Sequence, residues 1–297
     1  MRRAVAALAA LAGCVPSAAL PPGAAAPVIA AVPAQRPATP FRIEGSRTQG
    51  ALLRGQAPDG TITVSLELPG QPAVPVPLDG RRFIIGLDRD AGPTATLIAT
   101  LEDGRQVRET LSIAPRAWRI ERIDAPYRAG RTTAEFDRLR PAELARIAAA
   151  RAVPTQADGW RQPMRWPLVA RVSGLFGAQR VYRGAPGSYH NGIDLAAPTG
   201  TPVRAPANGI VTLAADPAQP FTLEGNLLMV NHGAGLSSAF LHLSRIDVRP
   251  GDRVTAGQVI GAVGATGRAT GPHLHWALRW RDARLDPLLV AGPVSGE

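Results

Sequence analysis

The sequence contains no lysine and a single cysteine among its 297 residues. With Cys14 alone, an intramolecular disulfide is excluded. Aromatic residues make up only 5% of the chain, and beyond the first residues no stretch is long and apolar enough to cross a membrane as a helix. Neither a disulfide-linked scaffold nor a helical membrane domain fits this composition.

The basic residues are all arginine. They number 33 against 23 acidic residues and give a formal net charge of +10. A surplus of positive charge favours association with an anionic polymer or a membrane surface. The arginines are scattered rather than gathered in a run or along one helix face, so we expect no nucleic acid partner.

Residues 1–26 are predicted to be an export signal. Two arginines follow the first methionine, and residues 4–12 form an apolar stretch too short to span a bilayer. Cys14 follows Leu-Ala-Gly, which resembles the lipobox of bacterial lipoproteins, in which the cysteine is acylated. The alternative is cleavage within residues 15–26, which removes Cys14. In both cases we expect an exported protein of the periplasm or cell envelope, and acylation of Cys14 would anchor it in the membrane.

The next two segments differ in composition. Residues 27–40 are rich in alanine and proline and are expected to be a flexible tether. Residues 41–126 are expected to form a small β-sandwich-like domain, because strand-like runs at 61–68, 82–87 and 95–101 are separated by Asp-Gly turn signals. This segment has no histidine and no cysteine, and its role stays open between binding, spacing and gating.

A helical linker is predicted over residues 127–158. Apolar residues recur in it at helical spacing and are expected to pack against a domain: Phe136, Leu139, Leu144 and Ile147. Pro141 lies inside this stretch and is expected to break or restart the helix, because proline has no N–H to donate to the preceding turn.

Residues 159–297 are predicted to form a β-rich domain with glycine and proline turns. Five stretches in it are typical of strands: 202–214, 227–231, 237–243, 258–263 and 274–280. All five histidines of the chain lie in this domain. We therefore expect a mainly all-β chain, with an antiparallel β-sheet or sandwich domain preceded by the small β-domain and the helical linker.

Two short motifs in this domain carry groups that bind metals. His190 and Asp194 are four residues apart, and Gly192 favours a strand or loop around them. His273 and His275 are two residues apart, so in a strand their side chains point to the same side. Imidazole and carboxylate are a usual ligand set for zinc, and two imidazoles on one face are costly to bury without a metal or polar partner.

Taken one at a time, these motifs have ordinary explanations. A His-x-x-x-Asp spacing arises by chance, and a His-x-His pair also occurs as exposed strand residues. His242 lies in an apolar strand, where a histidine satisfied within the core is the simpler interpretation. The three elements are specific only together.

Together they resemble the motifs of the LytM/lysostaphin-type zinc metalloendopeptidases, the peptidoglycan DD-metallopeptidase family. These enzymes carry His-x-x-x-Asp, a His-Leu in a middle strand and His-x-His, as this chain does at His190, His242 and His273. The flanking residues match as well, with Gly-Ile-Asp-Leu-Ala-Ala-Pro-Thr-Gly-Thr-Pro-Val from position 192 and Thr-Gly-Arg-Ala-Thr-Gly-Pro-His-Leu-His from position 266. The resemblance covers residues 166–287.

The resemblance implies a LytM-type fold, one Zn²⁺ per chain and peptidoglycan as the substrate. His190, Asp194 and His275 would hold the zinc, and His242 and His273 would be the catalytic histidines. Three protein ligands leave a fourth position for water, as in catalytic rather than structural zinc sites. The division of proton transfer between His242 and His273 stays open.

The remaining residues of the motif region are expected to have supporting roles. His232 is expected to be structural, since histidines at strand ends commonly form local hydrogen bonds. Phe240, Trp276 and Ala277 stand where relatives often carry Tyr, Phe and Glu. None of these three is an expected ligand.

The expected activity is endopeptidase cleavage of peptidoglycan cross-links. Relatives in Gram-negative cells cut D-alanyl–diaminopimelate links, and the lysostaphin branch cuts Gly–Gly bridges; the lipobox-like signal and the upstream β-domain favour the first. The alternative is a non-hydrolytic or masked regulator that binds and activates cell-wall amidases. A zinc carboxypeptidase or dipeptidase fits less well, since its His–Asp separation is longer than that of His190 and Asp194. The oligomeric state stays open.

Overall fold

A computed structural model describes residues 38–125 and 134–294 of the chain. The predicted export signal with Cys14, nearly all of the 27–40 tether and the first residues of the predicted linker lie outside these ranges. Within them, no helix is long and apolar enough to cross a membrane.

Two antiparallel sheets make up the first segment. Their strands are β1 (Arg42–Glu44), β2 (Leu52–Gln56), β3 (Thr61–Glu67), β4 (Val74–Val76), β5 (Arg82–Gly86), β6 (Thr94–Leu101) and β7 (Gln106–Ser112). The sheet orders are β1-β2-β5 and β4-β3-β6-β7. Alternating residues of β3, Val64 and Leu66, are buried, and they share one hydrophobic core with Leu53 of the other sheet. The strands predicted at residues 61–68, 82–87 and 95–101 are present as β3, β5 and β6.

The rest of the described chain is also mainly β. It contains β8 (Ile120–Ile123), β9 (Arg171–Gly174), β10 (Gln179–Tyr182), β11 (Ala185–Tyr189), β12 (Ile193–Ala196), β13 (Pro202–Arg204), β14 (Gly209–Ala214), β15 (Asn226–Gly233), β16 (Leu236–Leu243), β17 (Arg245–Ile246), β18 (Arg253–Val254), β19 (Val259–Ala262), β20 (His273–Trp280) and β21 (Ala283–Leu285). Its helices are α1 (Ala134–Ala152), a 3-10 turn at Gly159–Arg161 and α2 (Pro287–Ala291). The predicted mainly β fold with antiparallel sheets is confirmed.

An eight-stranded sheet carries four of the five histidines, and His190 lies just before one of its strands. Its order is β18-β14-β15-β16-β20-β12-β9, with β21 paired to β20 beyond the end of β12. Smaller sheets have the orders β13-β19-β17 and β11-β10-β8. Strand β8 belongs to the 41–126 segment, yet it pairs in parallel with β10 of the C-terminal segment. The two segments also share one hydrophobic core, in which Ile85 and Trp280 both lie.

Helix α1 runs without interruption through Pro141, so the predicted break or restart there is wrong. Contacts on both sides hold the helix: Arg140 and Glu143 bond to the loop before β15, and Ile147 is buried in a second hydrophobic cluster. These contacts offset the hydrogen bond that proline removes. The expected packing is correct for Ile147 but wrong for Leu144, which is 49% exposed.

The strand predicted over residues 202–214 is two strands in different sheets. β13 pairs with β19, whereas β14 pairs with β15 and β18. The chain leaves the extended ladder at Pro206, which has no N–H to offer to a neighbouring strand. Its carbonyl instead accepts from the N–H of Arg165 at 2.9 Å. The four other predicted strands of this domain are present.

Candidate metal centre and active site

Strand pairing brings the two metal-binding motifs together. β12 lies beside β20 in antiparallel register, with Asp194 directly opposite His275. Opposed residues project to the same face of a sheet, so the carboxylate meets the imidazole. His190 precedes β12, and its backbone is fixed by hydrogen bonds to Gly177 and Ala178, both of 2.8 Å.

Three ligand atoms converge at this point. His190 Nε2 lies 3.0 Å from Asp194 Oδ1 and 3.0 Å from His275 Nδ1. His275 Nδ1 lies 2.9 Å from Asp194 Oδ1. The ligand atoms of His190, Asp194 and His275 therefore form a triangle, called the ligand triangle below. Among the described residues, these three side chains could hold a metal ion.

The outer nitrogens of the two histidines are already engaged. His190 Nδ1 lies 3.0 Å from the carbonyl oxygen of Leu175, and His275 Nε2 lies 3.2 Å from Asn191 Oδ1. Both partners are acceptors, so each outer nitrogen carries the hydrogen and each inner nitrogen of a neutral ring presents a lone pair. Two lone pairs and a carboxylate oxygen facing one another repel unless a cation lies between them. This arrangement, with outer partners that fix each tautomer, fits zinc.

The charges of Asp194 and His275 agree with that fit. Burial raises the pKa of Asp194, but hydrogen bonds and charge from His190 and His275 outweigh burial and hold it well below its usual range. Burial lowers the pKa of His275 more than Asp194 raises it. For His190, burial lowers the pKa, but the hydrogen bond to Asp194, the charge of Asp194 and the hydrogen bond to Leu175 together outweigh burial and raise the pKa. The ionised carboxylate and the neutral His275 are the forms that bind metals.

The two remaining motif histidines lie beside this triangle. His273 Nε2 is 3.8 Å from Asp194 Oδ1, and the ring centroids of His242 and His273 are 4.8 Å apart. His242 Nδ1 donates to the Thr266 carbonyl and His273 Nδ1 to the Gly271 carbonyl, both at 2.8 Å. Each Nε2 is therefore left free. The structure thus brings all five predicted site residues together.

The backbone of His242 is in the left-handed region, with φ at 64°. Its N–H donates to the Glu224 carbonyl at 2.9 Å, and the Glu224 carboxylate is held by both terminal nitrogens of Arg140 at 2.7 Å. Burial lowers the pKa of His242 to about 4, although the hydrogen bond to Thr266 opposes this. His242 is therefore neutral at pH 7.

Two grooves meet at His190. One, of about 900 Å³, is lined by His190, Asp194 and residues of β10 and β11, and also by Arg119 and Glu121 of the first segment. The other, of about 560 Å³, is lined by His190, His242, His275 and Arg284. An extended ligand can therefore cross the site, and the 41–126 segment supplies part of one wall.

Comparison with known proteins decides the family. A family model described as peptidase family M23 matches residues 188–287. The crystal structure of a Pseudomonas aeruginosa protein assigned to peptidase M23 is 30% identical and covers 83% of this chain and 96% of that chain, with a TM-score of 0.63. The chain belongs to peptidase family M23. This confirms the family predicted from the sequence.

Curated relatives match the M23 region with higher identity. DD-carboxypeptidase/endopeptidase Mpg of Neisseria meningitidis is 42% identical over 133 residues, which are 43% of this chain and 29% of that protein. Peptidoglycan DD-endopeptidase ShyA of Vibrio cholerae is 42% identical over 137 residues, 44% of this chain and 30% of that protein. The chain thus spans less than a third of the length of these relatives.

Some residues of the M23 site could not be identified from a sequence motif. The Leu175 carbonyl and Gly174 come from β9 and the loop after it, which reach Asp194 and His190 only through strand pairing. Asn191 is visible as the neighbour of His190, but its contact with His275 depends on the fold. An alignment of relatives is the signal that would single out such residues.

Gly174→Ala should lower the metal affinity of the M23 site. A Cβ at Gly174 would lie 2.3 Å from Asp194 Oδ2 and 2.9 Å from its Cγ, so the ligand carboxylate must move. Disturbing such support typically weakens metal binding by about 10- to 100-fold. Zinc affinity measured by competition with a chelating dye tests this. Gly92→Ala is the matched control, because a Cβ there meets nothing within 4 Å; equal affinities for the two variants would contradict the prediction.

His232 lies in the core of the M23 sheet and agrees with its expected structural role. It is fully buried, its Nδ1 donates to the Asn208 carbonyl and its Nε2 accepts from Ser238, both at 2.8 Å. Burial lowers its pKa to about 4, although the bond to Asn208 opposes this. His232 is therefore neutral in the folded chain at pH 7.

The neutral His232 should make stability fall with acid. Its ordinary pKa is 6.5, so between pH 6.5 and pH 4 the unfolded chain binds more protons than the folded chain. Stability is fully present above pH 6.5 and decreases as the pH falls, by up to about 3 kcal/mol from this residue. Urea unfolding at pH 7.5 and 4.5 should show a smaller loss for His232→Gln than for the wild type. An equal loss in both proteins would show that His232 does not contribute.

Proposed function

We propose that this chain is a zinc-dependent endopeptidase that hydrolyses peptide cross-links of bacterial peptidoglycan. The observation that carries the proposal is the convergence of His190, Asp194 and His275 beside two further histidines, at the meeting point of two grooves. Relatives named peptidoglycan DD-endopeptidase and DD-carboxypeptidase/endopeptidase are 42% identical to this region. Their names support the same substrate class.

The residues of the site have separate tasks in this proposal. Bound zinc would supply a Lewis acid for the scissile carbonyl and a water of lowered pKa. Neutral His242 is suited to accept the proton of the attacking water at Nε2, since its Nδ1 is occupied by Thr266. His273, with Nδ1 tied to Gly271, is suited to stabilise the oxyanion or protonate the leaving amine through Nε2.

The bond that we propose as the target is D-alanyl–diaminopimelate, and the site of action is the periplasm or cell envelope. The lipobox-like signal at Cys14 and the upstream β-domain support this choice over a Gly–Gly bridge. The net charge of +10 also favours contact with an anionic envelope polymer.

Hydrolysis of purified cross-linked peptidoglycan tests the proposal. The full-length chain is incubated with peptidoglycan with and without a chelator, and the released muropeptides are analysed by mass spectrometry. The full chain is the correct sample because Arg119 and Glu121 line one groove. We expect cross-linked dimers to disappear, and this loss to require the metal.

The products also identify the bond that is cut. Monomers that end in D-alanine, together with a freed diaminopimelate amine, would support the proposed link, and cleavage of Gly–Gly bridges alone would replace it. A folded, zinc-loaded chain that cleaves neither substrate would contradict the hydrolase proposal. In that case a regulator of cell-wall amidases becomes the function to test, by adding an amidase to the same reaction.

A further inference from the structure

Three arginines lie near the metal ligand His275. Arg151, Arg279 and Arg284 line a small cavity of about 70 Å³ together with His275 and Asn191. In β20, alternate residues from His275 to Arg279 project to one face. Arg284 of β21 lies directly opposite Arg279, so its side chain is on that face too. The arginine cluster therefore shares the face that presents the metal ligands.

The positive charge of this cluster is poorly neutralised. Among the described residues, neither Arg151 nor Arg284 forms an ion pair, and Arg279 reaches the exposed Asp282 only at 3.5 Å. The carboxylate of Glu224 also borders the cavity, but Arg140 engages both of its oxygens at 2.7 Å. Burial and the charges of neighbouring arginines lower the pKa values of Arg151 and Arg279, whereas the hydrogen bond to Tyr189 and the charges of Asp88 and Asp90 raise the pKa of Arg284.

Arg284 is the member best placed to meet a ligand. It lines the groove that contains His190, His242 and His275, and its Nη1 donates to the Tyr189 hydroxyl at 2.7 Å. Its Nε is buried and has no hydrogen-bond partner within the described part of the chain. A buried donor without a partner is costly, so the present position of the Arg284 guanidinium is not its best-satisfied one.

The proposed substrate carries an anion. In a D-alanyl–diaminopimelate link, the carbon that bears the amide nitrogen also bears a free carboxylate, whereas a Gly–Gly bridge has none at this place. We propose that Arg284, supported by Arg279 and Arg151, binds the free carboxylate of the residue on the amine side of the scissile bond. This inference rests on the proposed function and adds a chemical reason for the choice of bond. Planar guanidinium groups bind carboxylates with two parallel hydrogen bonds, which gives both energy and orientation.

Two synthetic cross-linked stem peptides that differ at one group provide the test. One keeps the carboxylate beside the scissile amide, and the other carries a primary amide there. We expect the wild type to cleave the acid with a kcat/KM about 10- to 100-fold above that of the amidated peptide. Arg284→Gln should reduce this ratio to about 1 to 3, and Arg284→Lys should restore part of it because the charge is kept.

Binding is measured separately, on the chelator-treated full chain by calorimetry, so that it does not depend on hydrolysis. The Kd values should show the same preference for the acid in the wild type and its loss in Arg284→Gln. Arg253→Gln is the matched control, since it removes an exposed arginine on β18 at the far edge of the same sheet. Arg253→Gln should show the same ratio of Kd values for the amidated and acid peptides as the wild type.

The outcomes separate the two proposals. Cleavage of both peptides at equal rates, or a wild-type ratio in Arg284→Gln, would overturn the carboxylate subsite and leave the endopeptidase proposal standing. Cleavage of neither peptide would overturn the endopeptidase proposal, and the Kd ratio would still decide whether the arginine cluster binds the carboxylate. Circular dichroism of each variant confirms that the chain is folded.

Discussion

His190→Ala should lose zinc and peptidoglycan hydrolysis together. The variant removes one of three ligand atoms that lie within 3.0 Å of one another. Loss of an outer partner alone weakens metal sites by about 10- to 100-fold, so loss of a ligand should weaken zinc binding by more than about 100-fold. Hydrolysis should fall to the background rate. Zinc per chain after dialysis, measured by atomic absorption, and muropeptide release from the same sample check both expectations.

Thermal unfolding tests independently whether His190 is a zinc ligand. Zinc at about 100 times its Kd should stabilise the wild type by about 2.7 kcal/mol and leave His190→Ala almost unaffected. In chelator the variant should be at least as stable as the wild type, because two lone pairs and a carboxylate no longer converge. His232→Gln is the control, since within residues 38–125 and 134–294 the His232 ring forms its hydrogen bonds with Asn208 and Ser238, outside the ligand triangle. A His190→Ala chain with wild-type zinc content would contradict the ligand assignment.

Four of the five polar residues of the site could be predicted in pairs because their spacing within each pair is local, whereas His242 was predicted only from the family resemblance. His273 and His275 share a strand face wherever a strand forms, and His190 and Asp194 stay close in any extended turn. The pairing that joins the two motifs is not local. Asp194 meets His275 because β12 and β20 are neighbours, and the resemblance to a known family, rather than the spacing, predicted that contact.

Three features could not be predicted from local patterns. Local sequence rules predict that Pro141 breaks the helix, but the helix continues through it because Arg140 and Glu143 form tertiary contacts. Parallel pairing of β8 with β10 joins residues about 60 positions apart and leaves no periodic signal. Arg284 lines one groove with His190 and His242, which are far from it in the sequence. Each depends on a long-range contact.

The variants His242→Asn and His273→Ala should retain bound zinc but hydrolyse cross-links more slowly. Neither histidine belongs to the ligand triangle; His273 Nε2 lies 3.8 Å from Asp194 Oδ1, and the His242 ring lies next to that of His273, with centroids 4.8 Å apart. Positioned acid–base groups contribute about 10²- to 10⁴-fold, so kcat should fall by this factor while zinc content stays at the wild-type level. Asparagine is chosen for His242 because its φ of 64° is a conformation that asparagine tolerates.

The double variant distinguishes a shared task from two separate ones. If His242 accepts the proton of water and His273 stabilises the oxyanion in the same step, losing both should cost much less than the product of the two single losses. Single-turnover rates of dimer cleavage by the two single variants and the double variant measure this. If either single variant loses zinc, the residue is a ligand and the triangle must be reassigned. Full activity in either variant would instead remove that histidine from the mechanism, because a group that transfers a proton in the rate-limiting step cannot be lost without a loss of rate.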